Sequence, residues 1–272
     1  MLIKFWGVRG SIAVSGPRYL QTGGNTATVE IEHQGERLIL DGGTGLRALG
    51  DAIGWRPVAV NILFSHVHWD HIQGVPFFMP AFHPGAHIQL HGASRASGSL
   101  RDALTRQMKP PQFPITLDQL TAKVDCVDIP RDQPFEIGPF RITPVDLNHP
   151  DGVLAYRIEA GGRAVVYATD TEHGASLDPR LLHLTEGADL LIHDAQYTTP
   201  EYEGHRGPSR RGWGHSTWEQ AVHVATTAAA RRLALFHHDP GRDDAGVAAI
   251  EAEAHARHPA VCAAREGEAI AL

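Results

Sequence analysis

Cysteine is nearly absent from this chain of 272 residues. Cys126 and Cys262 stand alone, so neither a disulfide framework nor a Cys-x-x-Cys site can be drawn. That suits a reducing compartment. No apolar run reaches the ~18 residues of a membrane span, and the opening Met1-Leu-Ile-Lys-Phe-Trp-Gly lacks the long apolar stretch and small-residue cleavage site of an export signal. We therefore expect a cytoplasmic protein with no membrane partner. Positive charge is scarce too: 24 Lys and Arg face 31 Asp and Glu, for a net charge of −7. No basic stripe is visible that would engage a large nucleic acid. Arg206, Arg210 and Arg211, and the pair Arg231 and Arg232, are local clusters only. Repeats and low-complexity tracts are missing, and the 28 Gly and 18 Pro are dispersed as many short turns require. With 42% hydrophobic residues the chain can bury a substantial core. Its motifs run from end to end, so 1–272 reads as one domain carrying a Pro- and aromatic-rich insertion at about 74–116.

Histidine is what the chain has in quantity, and His66-Val-His-Trp-Asp-His71 concentrates three imidazoles and a carboxylate directly after the apolar stretch Val58 to Phe64. Read as the end of a buried strand, the segment puts His66 and His68 on one face, and a turn at Trp69 aims Asp70 and His71 at a neighbouring position. One segment then serves two ions. It cannot complete both shells, so further donors must come from later strand ends. His149 follows Phe140 to Leu147, Asp170 ends the run from Ala164, and His237 or His238 ends the run from Arg232. Each stands where an apolar, β-like run stops, so a packed sheet can hold the ligand rigidly beside a cleft. Imidazole beside carboxylate selects a transition metal over calcium or magnesium. We expect two divalent ions, with zinc as the default and manganese or iron also suited.

This ordered set resembles the metallo-β-lactamase superfamily over nearly the whole chain, in its dinuclear phosphodiesterase branch. Gly214-His215-Ser216-Thr217 is similar to a segment of ribonuclease Z, and Gly23-Gly24-Asn25-Thr26 with Asp41-Gly-Gly-Thr-Gly resembles the phosphoribosyl cyclic phosphate phosphodiesterases. The resemblance implies an α/β (α+β) fold, a four-layer αββα sandwich. It implies that His66, His68 and His149 hold one ion, that Asp70, His71 and His237 hold the other, and that Asp170 bridges them. The doubled histidine leaves His237 or His238 open, with alignment favouring His237. His215 is then a catalytic residue and not a ligand. β-Lactamase activity is disfavoured, because those enzymes usually place a cysteine or a further histidine where Asp170 stands.

Two cations about 3.5 to 4 Å apart lower the pKa of a bridging water and neutralise charge on a pentacoordinate phosphorane. We expect a small anionic phosphodiester, cyclic or open, attacked by a metal-bridging hydroxide, with Asp70, His215 and Asp194 as the catalytic set. His215 gives the departing alkoxide its proton, and Asp194, after Leu190 to His193, orients it. A thioester or lactone fits the same site, and a metal-dependent sensor without turnover is the reading from another class. Ser216-Thr-Trp-Glu219 reads as a capping box for a helix from about Thr217 to Ala230, with Val222, Ala225 and Ala229 facing the sheet.

Hairpins are expected at Thr28–His33 with Arg37–Leu40 and at Tyr156–Glu159 with Ala164–Tyr167. Further strands are expected at Ala59–Phe64, His87–Leu90, Leu190–Ile192 and Leu233–Phe236, and a last helix over Asp244–His255. The resemblance implies that Asp41 is a hydrogen-bond partner of a ligand histidine; His193 reads as packed, and His33, His173, His183, His255 and His258 as solvated. His83, His87 and His91 are rejected as ligands. Tyr197, Tyr202 and Trp213 are candidates to stack on a base. The exposed aromatics of 74–116 are compatible with a wall over the site or a homodimer contact.

Overall fold

The computed structural model describes residues 1–205 and 207–272, so Arg206 of the first basic cluster lies outside the described residues. Two seven-stranded sheets stack face to face. The first has the order β14-β1-β2-β3-β4-β5-β6 and comprises β1 (Leu2–Gly7), β2 (Thr28–His33), β3 (Glu36–Leu40), β4 (Ala59–Leu63), β5 (His87–Gly92), β6 (Lys123–Asp128) and the closing β14 (Ala269–Ala271). The second has the order β13-β12-β11-β10-β9-β8-β7 and comprises β7 (Phe135–Ile137), β8 (Phe140–Leu147), β9 (Val153–Ala160), β10 (Arg163–Ala168), β11 (Leu190–Asp194), β12 (Leu233–Phe236) and β13 (Val261–Ala263). Each sheet is mixed. β3 to β6 and β10 to β13 are parallel, which puts strand C-termini from both sheets along one edge.

The period-two alternation of strands sorts the side chains into three apolar layers. Leu38 and Leu40 of β3, Val165 and Tyr167 of β10, and Ala234 and Phe236 of β12 point inward and fill the space between the sheets. Their chain neighbours point the other way. Ile39, Val60 and Ile62 meet α1 (Gly45–Ile53) and α3 (Leu100–Gln107) outside the first sheet. Val166, Leu233 and Leu235 meet α4 (Pro179–Thr185), α6 (Trp218–Thr227) and α7 (Asp244–His255) outside the second. Two short helices complete the set, α2 (Trp69–Ile72) and α5 (Thr199–Tyr202). The result is the expected αββα sandwich. Among the described residues no helix is long and apolar enough to cross a membrane.

Local details depart from the sequence reading. Strand β4 stops at Leu63, so His66 and His68 lie on the connecting loop and Asp70 and His71 on α2, rather than on the end of a strand. The cap of α6 falls one residue later than the capping box placed it. Thr217 accepts from Gln220 N and closes the box with Gln220, while the Ser216 hydroxyl is taken by the carbonyl of Thr171. The helix ends at Thr227, and Ala229, expected on the buried face, is exposed at φ +53. Residues 74–116 hold β5 and α3 as well as two single 3-10 turns, so an interior strand of the first sheet crosses this stretch.

Candidate metal centre

All seven proposed ligands converge at the strand C-termini. The 63–72 connection after β4 brings His66, His68, Asp70 and His71, while His149, Asp170 and His237 come from the ends of β8, β10 and β12. One donor atom from each of His66, His68, His149 and Asp170 lies within 4.8 Å of the others, and the same holds for Asp70, His71, Asp170 and His237. Asp170 divides the cluster between its two oxygens. Oδ2 lies 3.6 Å from His66 Nε2 and 3.8 Å from His149 Nε2, while Oδ1 lies 3.3 Å from His71 Nε2 and 3.2 Å from His237 Nε2. Asp70 Oδ2 stands 3.3 Å from His71 Nε2 and 3.2 Å from His237 Nε2.

The outer nitrogens determine what the inner ones can do. His71 Nδ1 donates to Asp41 at 2.8 Å, His149 Nδ1 to the carbonyl of Gly214 at 2.8 Å, and His237 Nδ1 to Gln196 Oε1 at 2.9 Å. His66 Nδ1 donates to the Ser65 hydroxyl at 3.0 Å, which itself donates to Asp41 at 2.8 Å. Nε2 lone pairs of His66, His71 and His237 are thereby left facing carboxylate oxygens, which are acceptors too, while Nε2 of His149 meets His68 Nδ1 at 2.9 Å. Acceptors that converge on acceptors in a buried space need a cation between them. Nε2 of His66 and of His71 have no hydrogen-bond partner although both are buried. Burial opposes charge on both groups, yet Asp170, Asp70 and Asp41 draw His71 well above its usual range, and His237 and His71 hold Asp170 well below its own. Burial, reinforced by neighbouring imidazoles, depresses His66 strongly and His149 to about 4. The donor set suits a divalent transition metal.

Backbone strain is concentrated here. Asp41, Asp170 and His237 have φ of +58, +50 and +59, and Ser11, whose N–H donates to Asp70 at 2.7 Å, has φ +63. Non-glycine residues rarely occupy that region unless the surroundings impose it. Asp41 is fully buried and accepts from the Ser65 amide and hydroxyl, from His71 and from the Tyr167 hydroxyl. Ser11, Ser65, Tyr167 and Gln196 escaped the sequence reading. Ser65 borders the hexapeptide, but nothing in the sequence pairs Gln196 with His237 or Ser11 with Asp70.

His215 lies against this cluster, its ring 5.0 Å from that of His237 and 5.2 Å from that of His149. Its Nδ1 meets Asp194 Oδ2 at 2.9 Å, leaving Nε2 as the free ring nitrogen. Burial alone would depress this imidazole, but the Asp194 carboxylate outweighs it and lifts the pKa to about 9. His238 is turned away. Its Nε2 meets the Ala264 carbonyl at 3.0 Å, so His237 is the histidine brought to the cluster.

Other expectations need correction. His173, expected in solvent, is buried and packs on the buried His193, Nε2 to Nε2 at 3.4 Å, because the turn after β10 folds back over β11. Tyr197 and Tyr202 are buried and cannot stack on a base, and the Tyr202 hydroxyl is bound to Glu172 at 2.6 Å. Trp213 stays exposed, with Arg210 4.5 Å over its ring.

The family described as "Beta-lactamase superfamily domain" matches residues 36–238, about three quarters of the chain, a span that takes in the cluster from Asp41 to His237. This chain belongs to the beta-lactamase superfamily. Among curated relatives it is similar to a ribonuclease Z of Natronomonas pharaonis, 25% identical over 261 residues that cover 78% of this chain and 81% of the relative. Among solved structures it is similar to the metallo-beta-lactamase fold protein YhfI of Bacillus subtilis, with TM-score 0.72, 22% identity and coverage of 99% and 98% of the two chains. A diphosphatase of the PhnP family superposes with TM-score 0.73 at 18% identity, covering 100% of this chain and 97% of its own. At such identities the two structures speak for the fold.

Proposed function

We propose that this superfamily member is a metal-dependent phosphodiesterase with two cations. The observation that carries the reading is the division of Asp170, one oxygen toward His66 and His149 and the other toward His71 and His237. His66, His68 and His149 would hold one cation and Asp70, His71 and His237 the other, with Asp170 shared and zinc the default on donor chemistry. Bound there, the cations supply Lewis acidity toward a phosphate and make water a better nucleophile near neutral pH.

The residues of the chain do the rest. Asp194 holds His215 through Nδ1, so the proton available to a leaving oxygen sits on Nε2. Gln196, Asp41 and Ser65 fix the outer nitrogens of His237, His71 and His66, which locks each imidazole in the tautomer with its lone pair inward. A phosphodiester needs both a charge-neutralising centre and a proton donor, and the residues that would hold the one lie beside the His215 that would supply the other. The curated relatives named ribonuclease Z support the phosphodiester class. A net charge of −7 favours a small substrate over a polynucleotide.

The test is a hydrolysis screen with controlled metal loading, using bis-p-nitrophenyl phosphate, cyclic nucleotides, cyclic ribose phosphates, a structured RNA, thioesters and lactones. Turnover of small phosphodiesters well above that of the acyl esters is expected. Acyl hydrolysis alone, or saturable binding without turnover, would replace the reading, and preference for the RNA would overturn its small-substrate part.

A further inference from the structure

Glu172 stands two residues after Asp170 and is buried, with 9% of its surface exposed. Its Oε1 accepts from the Tyr202 hydroxyl at 2.6 Å and the Gly212 amide at 2.8 Å, and its Oε2 accepts from the Gly214 amide at 2.8 Å. Its backbone is tied to the residue before His149: Glu172 N–H donates to the Asn148 carbonyl at 2.9 Å, and Asn148 Nδ2 donates to the Glu172 carbonyl at 3.0 Å. The Gly214 carbonyl in turn accepts from His149 Nδ1. A closed ring therefore runs by hydrogen bonds from Glu172 to Gly214 and His149, along the chain to Asn148, and by hydrogen bonds back to Glu172.

Within the Gly212–Gly214 strap, among the described residues, only the middle amide has a backbone partner, Trp213 N–H on the Arg210 carbonyl at 3.1 Å. Gly212 and Gly214 both lie at positive φ, +81 and +87, and glycine at such positions loses the most backbone entropy on ordering. Gly214 has no substitute, since a Cβ there would fall 2.2 Å from His149 Nδ1. The amides on either side, of Gly212 and Gly214, are both taken by the Glu172 carboxylate outside the strap, one on each oxygen. The residue directly after Gly214 is His215.

We propose that Glu172 is a positioning residue: its carboxylate fixes the Gly212–Gly214 strap and, through the Gly214 carbonyl, sets the ring of His149 and the approach of His215. Its carboxylate is not among the donor atoms that converge with Asp170. This rests on the roles given above to His149 and His215. Glu172→Gln is the discriminating change, because an amide presents one acceptor and one donor. Whichever way it turns, its NH₂ faces a strap N–H, and one bond becomes a donor–donor contact.

The experiment measures three quantities on the full chain: hydrogen exchange of the Gly214 amide in metal-free protein, zinc affinity against a competing chelator, and kcat and KM for bis-p-nitrophenyl phosphate. For Glu172→Gln we expect Gly214 exchange faster by tenfold or more, zinc affinity lower by about tenfold, and kcat lower by about tenfold with KM within twofold. Tyr202→Phe removes one donor to the carboxylate and serves if Glu172→Gln does not fold; a several-fold rise in Gly214 exchange is expected. Unchanged exchange and zinc affinity in whichever variant folds would overturn the proposal. Exchange and affinity are read without turnover, so a wild-type protein inactive on every phosphodiester would defeat the functional reading and leave this one still decided by its own data.

Discussion

Asp194 and His215 form a buried pair, Oδ2 to Nδ1 at 2.9 Å, on the flank of a cluster in which His66 and His71 present Nε2 atoms without a hydrogen-bond partner. The folded pKa of His215 is raised to about 9, above the ~6.5 of an unfolded chain. The stability this contributes to metal-free protein is complete below pH ~6.5 and is lost as pH rises through about 9. Its size is on the order of 3 kcal/mol. Asp194→Asn should remove most of that alkaline loss and bring His215 down toward its ordinary range, read by NMR titration of the imidazole. An unmoved His215 would refute the pairing.

His215→Ala should reduce kcat on a phosphodiester by about 10²- to 10⁴-fold, the usual worth of a positioned proton donor. Metal content, measured by elemental analysis, should stay at the wild-type level. Parallel loss of metal and activity would make His215 a ligand.

Asp41→Asn replaces a carboxylate that accepts from four donors with an amide that can accept at only one oxygen. Metal affinity should fall by about 10- to 100-fold, as for other partners of ligand histidines. A chelator competition assay checks this, and affinity within threefold of wild type would contradict it.

Acid stability offers a prediction away from the site. Burial depresses His91 to about 4, and its Nε2 faces Asn61 Oδ1 at 3.0 Å. Between the unfolded value of ~6.5 and about 4 the unfolded chain takes up a proton that the folded one refuses, so stability is present above ~6.5 and declines as pH falls through that window. His91→Gln should make the decline shallower by up to about 1.4 kcal/mol per pH unit, measured by urea unfolding from pH 7 to 4.5. Equal slopes would rule out this contribution.

How much of this was legible beforehand depended on how local the cause was. That the hexapeptide meets the later strand-end His and Asp residues could be read because apolar runs that stop at His or Asp mark strand ends, and the sheet order then carries those ends to one edge. Asp194 and His215, 21 residues apart, could be paired only through the chemistry a proton donor needs. Gln196 beneath His237 and Ser11 on Asp70 were out of reach, since their partners lie 41 and 59 residues away and neither pairing leaves a pattern. Tyr197, Tyr202 and His173 were misplaced for a related reason: a polar-looking loop hides its residues when its own backbone folds back over a sheet edge. The position of the α6 cap slipped by one residue because Ser216 and Thr217 are both good caps, and the carbonyl of Thr171 claimed the first.

The central claim is that Asp170 is shared between two cations, and anomalous diffraction from zinc-loaded crystals, paired with elemental analysis of the same batch, addresses it most directly. Two peaks per chain are expected, one among His66, His68 and His149 and one among Asp70, His71 and His237, each touching a different oxygen of Asp170. A single peak, or two that leave Asp170 unengaged, would contradict the account.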